Sequence, residues 1–275
     1  MPELPEVETV VQGLKKILPS NKITKVVRSN YNLRIPYPEN FPEELTGACI
    51  LEVIRVAKYI IINTDLEKSI VIHLGMSGRL LSQNITSLNP QKHDHVIFHL
   101  SNNMCITYND PRRFGLVTTI KTIDINKHNL FKNLGAEPLS EQFNTQYLKA
   151  KIQNKNTSAK DFLMNSQNVV GIGNIYANEI LYLAKLSPFK MVKKFTLNEV
   201  EQIITCTKQI LNNAISAGGS SLRDYIAPNG VLGNFQNFFK VYGKENKKCS
   251  HCNELVMKKN YHQRATYFCP KCQQN

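Results

Sequence analysis

Apolar positions along this chain follow two different periods, and the switch between them divides it. Val7, Val10, Val11, Leu14 and Leu18 recur at helical spacing, so a helix is predicted to start right behind Pro5. β-Branched runs broken by turn residues follow at Ile50–Ile54, Tyr59–Ile62, Ser69–Leu74 and Val96–Leu100. From about residue 140 the helical period returns, at Tyr147–Ile152, Ile175–Ala184 and Leu197–Ala217. Gly218-Gly219-Ser220-Ser221 stops the last helix, and residues 218–235, rich in Gly, Ser and Asn, read as a mobile loop.

The pattern predicts an α+β fold. An N-terminal β-sandwich domain with flanking helices takes residues 1–130, and a linker takes 131–140. A helical domain takes 141–237, and a cysteine-bearing β-hairpin takes 238–275. There is no internal repeat and no low-complexity block.

Charge adds a partner class to this picture. The chain carries 34 Lys+Arg against 21 Asp+Glu, a formal net charge of +13, which suits a polyanion. No apolar run approaches the roughly 18–20 residues of a membrane helix. The start, Met-Pro-Glu-Leu-Pro-Glu-Val-Glu, is acidic where a secretion signal is cationic, so the expected location is the cytoplasm.

Four of the seven cysteines cluster near the C-terminus as Cys249-x2-Cys252 and Cys269-x2-Cys272. Two such turns on a hairpin bring four thiolates around one tetrahedral Zn²⁺. Four protein ligands close the coordination shell, so the expected zinc is structural, and His251 and His262 are not needed as ligands. Cys49, Cys105 and Cys206 lie among apolar residues and read as core. Between the cysteine pairs lie Lys258, Lys259, His262, Gln263 and Arg264. They suit entry into a DNA groove, and they suit a plain solvated hairpin equally well.

The second residue is proline, and a small residue there permits removal of the initiator Met. The freed secondary amine, with the α-amino pKa of about 8, would be partly unprotonated near neutrality. Such an amine can attack a sugar C1′ and form a Schiff base, with the Glu3 carboxyl as acid toward the ring oxygen.

Several motifs, in order and from residue 2 to 272, resemble the formamidopyrimidine-DNA glycosylases. They are Pro2-Glu3-Leu4-Pro5-Glu6-Val7-Glu8-Thr9-Val10, Ala57-Lys58-Tyr59, His73-Leu74-Gly75-Met76-Ser77-Gly78 and Lys92-His93-Asp94-His95-Val96. Asp110-Pro111-Arg112-Arg113-Phe114-Gly115, Gly171-Ile172-Gly173-Asn174-Ile175-Tyr176 and the cysteine hairpin with Gln263-Arg264-Ala265-Thr266 complete the set.

The resemblance implies a monomeric bifunctional glycosylase and abasic-site lyase that removes oxidised purines from double-stranded DNA. Pro2 would be the nucleophile, Glu3 the general acid, Lys58 the β-elimination lysine and Arg264 the δ-elimination arginine. Met76, Arg112 and Phe114 would fill the gap left by the extruded nucleotide, which Glu6 would help hold. His73, His93, Lys155, Lys160, Asn174 and Tyr242 match further DNA contacts. Asn174 would sit in the turn of a helix–two-turns–helix element, where helix N-terminal amides bind phosphate. Read without the resemblance, Lys58 is a surface cation, and Met76 and Phe114 are core residues.

Asn165, Gln167 and Asn253 depart from types common in the family, and none is a catalytic group. Two alternatives fit parts of the pattern. An endonuclease VIII-like enzyme for oxidised pyrimidines shares the architecture, but Leu4, the Arg112/Phe114 motif and the loop Ser220-Ser221-Leu222-Arg223-Asp224 favour the purine enzyme. A non-catalytic zinc-finger protein that binds damaged DNA matches the charge and cysteines alone.

Overall fold

The computed structural model describes residues 1–220 and 233–274. Most of the expected loop, including Ser221 to Asp224, lies outside the described residues. The chain forms two compact units: Met1–Lys132 with Gly218–Gly233, and Asn133–Ala217 with Asn234–Asn275. Gly218–Gly233, expected inside the helical domain, thus groups with the first unit. One anchor there is Ser220, whose backbone N–H and hydroxyl both donate to Glu6 Oε1, at 2.8 and 2.9 Å.

The first unit opens with helix α1, Leu4–Lys15. It begins just ahead of Pro5 rather than behind it, because a proline is tolerated in a first turn whose N–H groups have no intrahelical partner. The Glu3 N–H donates to Glu6 Oε2 at 2.8 Å and closes that turn. Leu4, Val7, Val10, Val11 and Leu14 are buried, each contributing about 1.5–3 kcal/mol by burial.

Two antiparallel four-stranded sheets follow. One has the order β1 (Ile23–Arg28), β6 (Asp94–Leu100), β7 (Met104–Asn109), β5 (Arg79–Asn84). The other runs β2 (Ile50–Val56), β3 (Tyr59–Thr64), β4 (Lys68–His73), β8 (Leu116–Lys121). Ile23, Val26, Phe98 and Ile106 from one sheet share a single core with Val53, Ile60, Ile62, Ile70 and Ile72 from the other. A short helix, α2 (Phe41–Leu45), adds Phe41 and Leu45 to that core.

The second unit contains α3 (Thr145–Ile152), α4 (Ala159–Met164), α5 (Asn174–Leu183) and α6 (Leu197–Ser216). Helix α6 starts with a capping box, in which Glu199 accepts the Thr196 N–H at 2.8 Å. The hairpin of β9 (Met257–Tyr261) and β10 (Arg264–Phe268) closes the unit. Asn253 takes φ +61° in the turn after Cys252, a conformation Asn adopts more readily than most residues with a side chain. Asn165 caps the end of α4, and its side-chain oxygen accepts the Gln167 N–H at 2.9 Å. Among the described residues, no helix is long and apolar enough to cross a membrane.

Candidate active site and metal centre

In the first unit the candidate groups cluster at the start of α1 and on three turns of the sandwich. Pro2 is half-buried, and Glu3 and Glu6 are buried. Both Glu6 oxygens are engaged inside the protein, one by Glu3 and one by Ser220. Its carboxylate therefore organises the chain on both sides of the helix start. Lys58 is the second residue of a two-residue turn, since Val56 pairs with Tyr59 across it. Ala57 holds φ +54° there, and its single methyl limits the cost of a left-handed residue. The Ala57 carbonyl accepts Arg55 Nη1 at 3.0 Å, while Arg55 Nε donates to Glu8 Oε2 at 2.8 Å.

His73 ends β4 behind this turn. Its Nδ1 accepts the Gly75 N–H at 3.0 Å, so the neutral ring carries its proton on Nε2. Burial, then the positive charges of Arg34 and Lys58, lower its pKa to about 4. The ring is neutral at physiological pH.

The expected gap-filling residues sit on two adjoining turns. Gly75 has φ +61°, and a Cβ there would lie 2.4 Å from the Gly115 nitrogen and 2.5 Å from the Phe114 carbonyl carbon. Only glycine lets the Met76 turn come so close to the Phe114 turn. Asp110, fully buried, ties the two together. Its Oδ1 accepts Ser77 Oγ–H at 2.6 Å, and its Oδ2 accepts the Gly115 N–H at 2.9 Å. The outcome is that Met76 and Phe114 are 41% and 48% exposed, not core, and the Arg112 guanidinium lies 4.6 Å from the Phe114 ring centroid. Exposed large apolar groups next to a cation suit insertion into a base stack. His93 lines a cavity of about 200 Å³ beside Lys92, Arg113 and Tyr31.

In the second unit Lys160, one of the expected DNA contacts, is engaged within the protein. Lys160 is 2% exposed. Its ammonium donates to the Ala265 carbonyl at 2.9 Å and to Thr266 Oγ1 at 2.7 Å. A buried charge needs such partners, and here the hairpin supplies two of them. Asn174 opens α5, where one of its amide hydrogens goes to the same Ala265 carbonyl at 3.1 Å. Its Oδ1 is buried without a hydrogen-bond partner. Arg264 and Lys155 are exposed. Tyr242 is placed by a residue the sequence did not single out: the buried Glu179 carboxylate accepts the N–H groups of Lys240, Val241 and Tyr242, at 2.9, 3.0 and 2.8 Å. Burial raises the Glu179 pKa, and the three amides oppose that shift.

At the foot of the hairpin the four Sγ atoms of Cys249, Cys252, Cys269 and Cys272 lie within 4.8 Å of one another. Two of the pairs are 3.8 and 3.4 Å apart, close to the edge of about 3.8 Å that a tetrahedron with 2.3 Å metal–sulfur bonds requires. The donor set can hold a metal ion. Burial pushes the Cys249 thiol up, but the Tyr182 hydroxyl and the amides of His251 and Cys252 outweigh it and bring it down to about 6. The Tyr182 oxygen lies 3.2 Å from Cys249 Sγ, an outer-sphere contact of the kind that orients a ligand.

A sandwich that presents a proline-led helix, joined in one chain to a helical unit with a four-thiol hairpin, defines a two-unit protein built to engage a polyanion. Residues 1–117 match the model of the formamidopyrimidine-DNA glycosylase N-terminal domain, and residues 134–225 match that of its H2TH domain. Formamidopyrimidine-DNA glycosylases of Legionella pneumophila (strain Lens) and of the Wolbachia of Culex pipiens are 46% and 43% identical to the chain. Each comparison covers 99% of this chain, and 98% and 100% of those proteins respectively. Among solved structures, a point mutant of the Lactococcus lactis enzyme in complex with Fapy-dG-containing DNA is 34% identical, with a TM-score of 0.92 and full coverage of both chains. The MutM protein of Thermus thermophilus is 32% identical, with a TM-score of 0.88, covering 99% of this chain and 98% of that one. The chain belongs to the formamidopyrimidine-DNA glycosylase family, whose members are DNA glycosylases.

Proposed function

We propose that this protein excises oxidised purines, such as 8-oxoguanine opposite cytosine and formamidopyrimidines, from double-stranded DNA in the bacterial cytoplasm, and then cleaves the strand. The observation that carries this reading is Pro2 at the head of α1, next to the buried Glu3 carboxyl. Removal of Met1 frees the Pro2 nitrogen, which attacks C1′ as the base departs with the bonding pair. Glu3 gives a proton to the ring oxygen, and the sugar opens to an iminium. Lys58 then takes the C2′ proton, and the C–H pair neutralises the iminium as an enamine. The enamine expels the 3′-phosphate with its bonding pair, and Arg264 assists the second elimination.

Met76, Arg112 and Phe114 occupy the gap in the duplex, offsetting a few kcal/mol of unstacking. Lys155, His93, Asn174 and Tyr242 serve the DNA, and His73 offers a neutral Nε2–H donor. The four cysteines hold one structural zinc, which supplies rigidity and no open coordination position.

The test is single-turnover cleavage of matched duplexes carrying either 8-oxoguanine opposite cytosine or thymine glycol. Preference for the 8-oxoguanine duplex is expected, and preference for thymine glycol would move the protein to the pyrimidine class. Binding of both without cleavage would leave a damage-binding protein.

A further inference from the structure

Arg55 is outside every role assigned so far, yet it touches two elements that carry the chemistry. Its side chain is only 10% exposed, and that of its partner Glu8 is 20% exposed. Glu8 lies on α1, the helix whose N-terminus bears Pro2 and Glu3, and the 2.8 Å contact joins that helix to the end of β2. The same guanidinium donates from Nη1 to the Ala57 carbonyl at 3.0 Å. That carbonyl belongs to the peptide leading into Lys58, so the bond sets the plane from which the lysine departs. Ala57 needs such a restraint. An L residue at φ +54° persists only where its surroundings hold it. Arginine suits the task because its planar fork donates along two fixed directions at once, which a lysine ammonium does not.

We propose that Arg55 is a positioning residue, which fixes the Lys58 turn against α1 so that proton removal at C2′ follows imine formation at Pro2. This rests on the Pro2 and Lys58 roles given above. An ion pair that merely stabilised the fold would lower all steps together. A positioning role divides them, because the Pro2 step does not use the turn.

The experiment is a double-mutant cycle on the full chain, using a duplex with one preformed abasic site. Borohydride trapping reads imine formation, and single-turnover strand cleavage without reductant reads elimination. For R55A, trapping is expected within about twofold of the unmodified chain, while cleavage falls about tenfold or more, the scale on which small misplacements act. R55K recovers only part of that loss. In a K58A background, R55A is expected to add less than about twofold, since the two act as one unit. E8Q, which keeps Arg55 and removes its ionic partner, shows the same ordering at smaller size and carries the test if R55A does not fold. Full additivity with K58A, or trapping and cleavage falling in step, overturns the inference alone. No adduct with the unmodified chain overturns the imine chemistry, and the inference with it.

Discussion

Two hairpins present the candidate cations Lys58 and Arg264, and different forces hold them. The β2–β3 hairpin lies in a four-stranded sheet, with Val53, Ile60 and Ile62 in the sandwich core. The β9–β10 hairpin has two strands, and Thr266 alone among its ten strand residues is fully buried. Rings of Tyr261, Tyr267 and Phe268 pack on neighbouring aromatics, and polar groups pin its backbone: Lys160 and Asn174 on the Ala265 carbonyl, and the Asn178 side-chain oxygen on the Tyr267 N–H at 2.9 Å. Four thiols gather at its foot. Apolar burial is spread over many contacts and tolerates the loss of one. A small hairpin that leans on a few polar bonds, and on the proposed zinc, does not.

Removing the proposed zinc is the strongest way to separate the two. A structural zinc contributes about 10–16 kcal/mol in small zinc modules, so a chelator, or Cys269→Ser, is expected to open β9–β10 and abolish tight DNA binding. Hydrogen exchange should show the amides of β2–β3 still protected. Equal loss of protection in both hairpins would break the comparison.

The second effect concerns acid and falls on the first hairpin. His73 faces Tyr59 across β3–β4, and its folded pKa near 4 lies below the ordinary 6.5. Between those values the unfolded chain binds the proton first, so stability falls as pH drops from 6.5 towards 4. The loss is up to about 3 kcal/mol. Denaturant melts at pH 7 and pH 4.5 check this. His73→Gln should remove that part of the slope, and an unchanged slope would contradict it.

Next comes Lys160→Met, which deletes two charged hydrogen bonds. It is expected to cost about 2–3 kcal/mol, with faster exchange in β10 and no change in β2–β3. Were Lys160 a phosphate contact, stability would be unchanged and the salt dependence of DNA binding would weaken. The smallest stability effect is that of Phe114→Ala, within about 0.5 kcal/mol because the ring is exposed. Base excision should drop while cleavage of preformed abasic DNA persists.

The sequence made the periodic parts legible. Helix α1, the β-branched runs and the two Cys-x2-Cys turns follow from spacing, because local geometry alone decides them. Buried polar contacts were not legible. Arg55, Asp110 and Glu179 look like surface charges in a string of letters, and only long-range packing brings them to a backbone turn. The hairpin partners of Lys160 were hidden for the same reason, since a lysine in a helix gives no sign of which way it is buried. Met76 and Phe114 failed as core residues in a pattern-only reading because Gly75 and Asp110 hold their turns outward. The Asp-Pro pair at 110–111 was the one available hint, since Asp before such a turn often caps its own backbone.

The most direct test of the account is peptide mapping of the adduct formed when the protein is reduced with borohydride on abasic-site DNA. The account predicts a mature chain that begins at Pro2, with the deoxyribose remnant on its nitrogen. An adduct on Lys58 or another internal lysine, or full activity in protein that retains Met1, would contradict it.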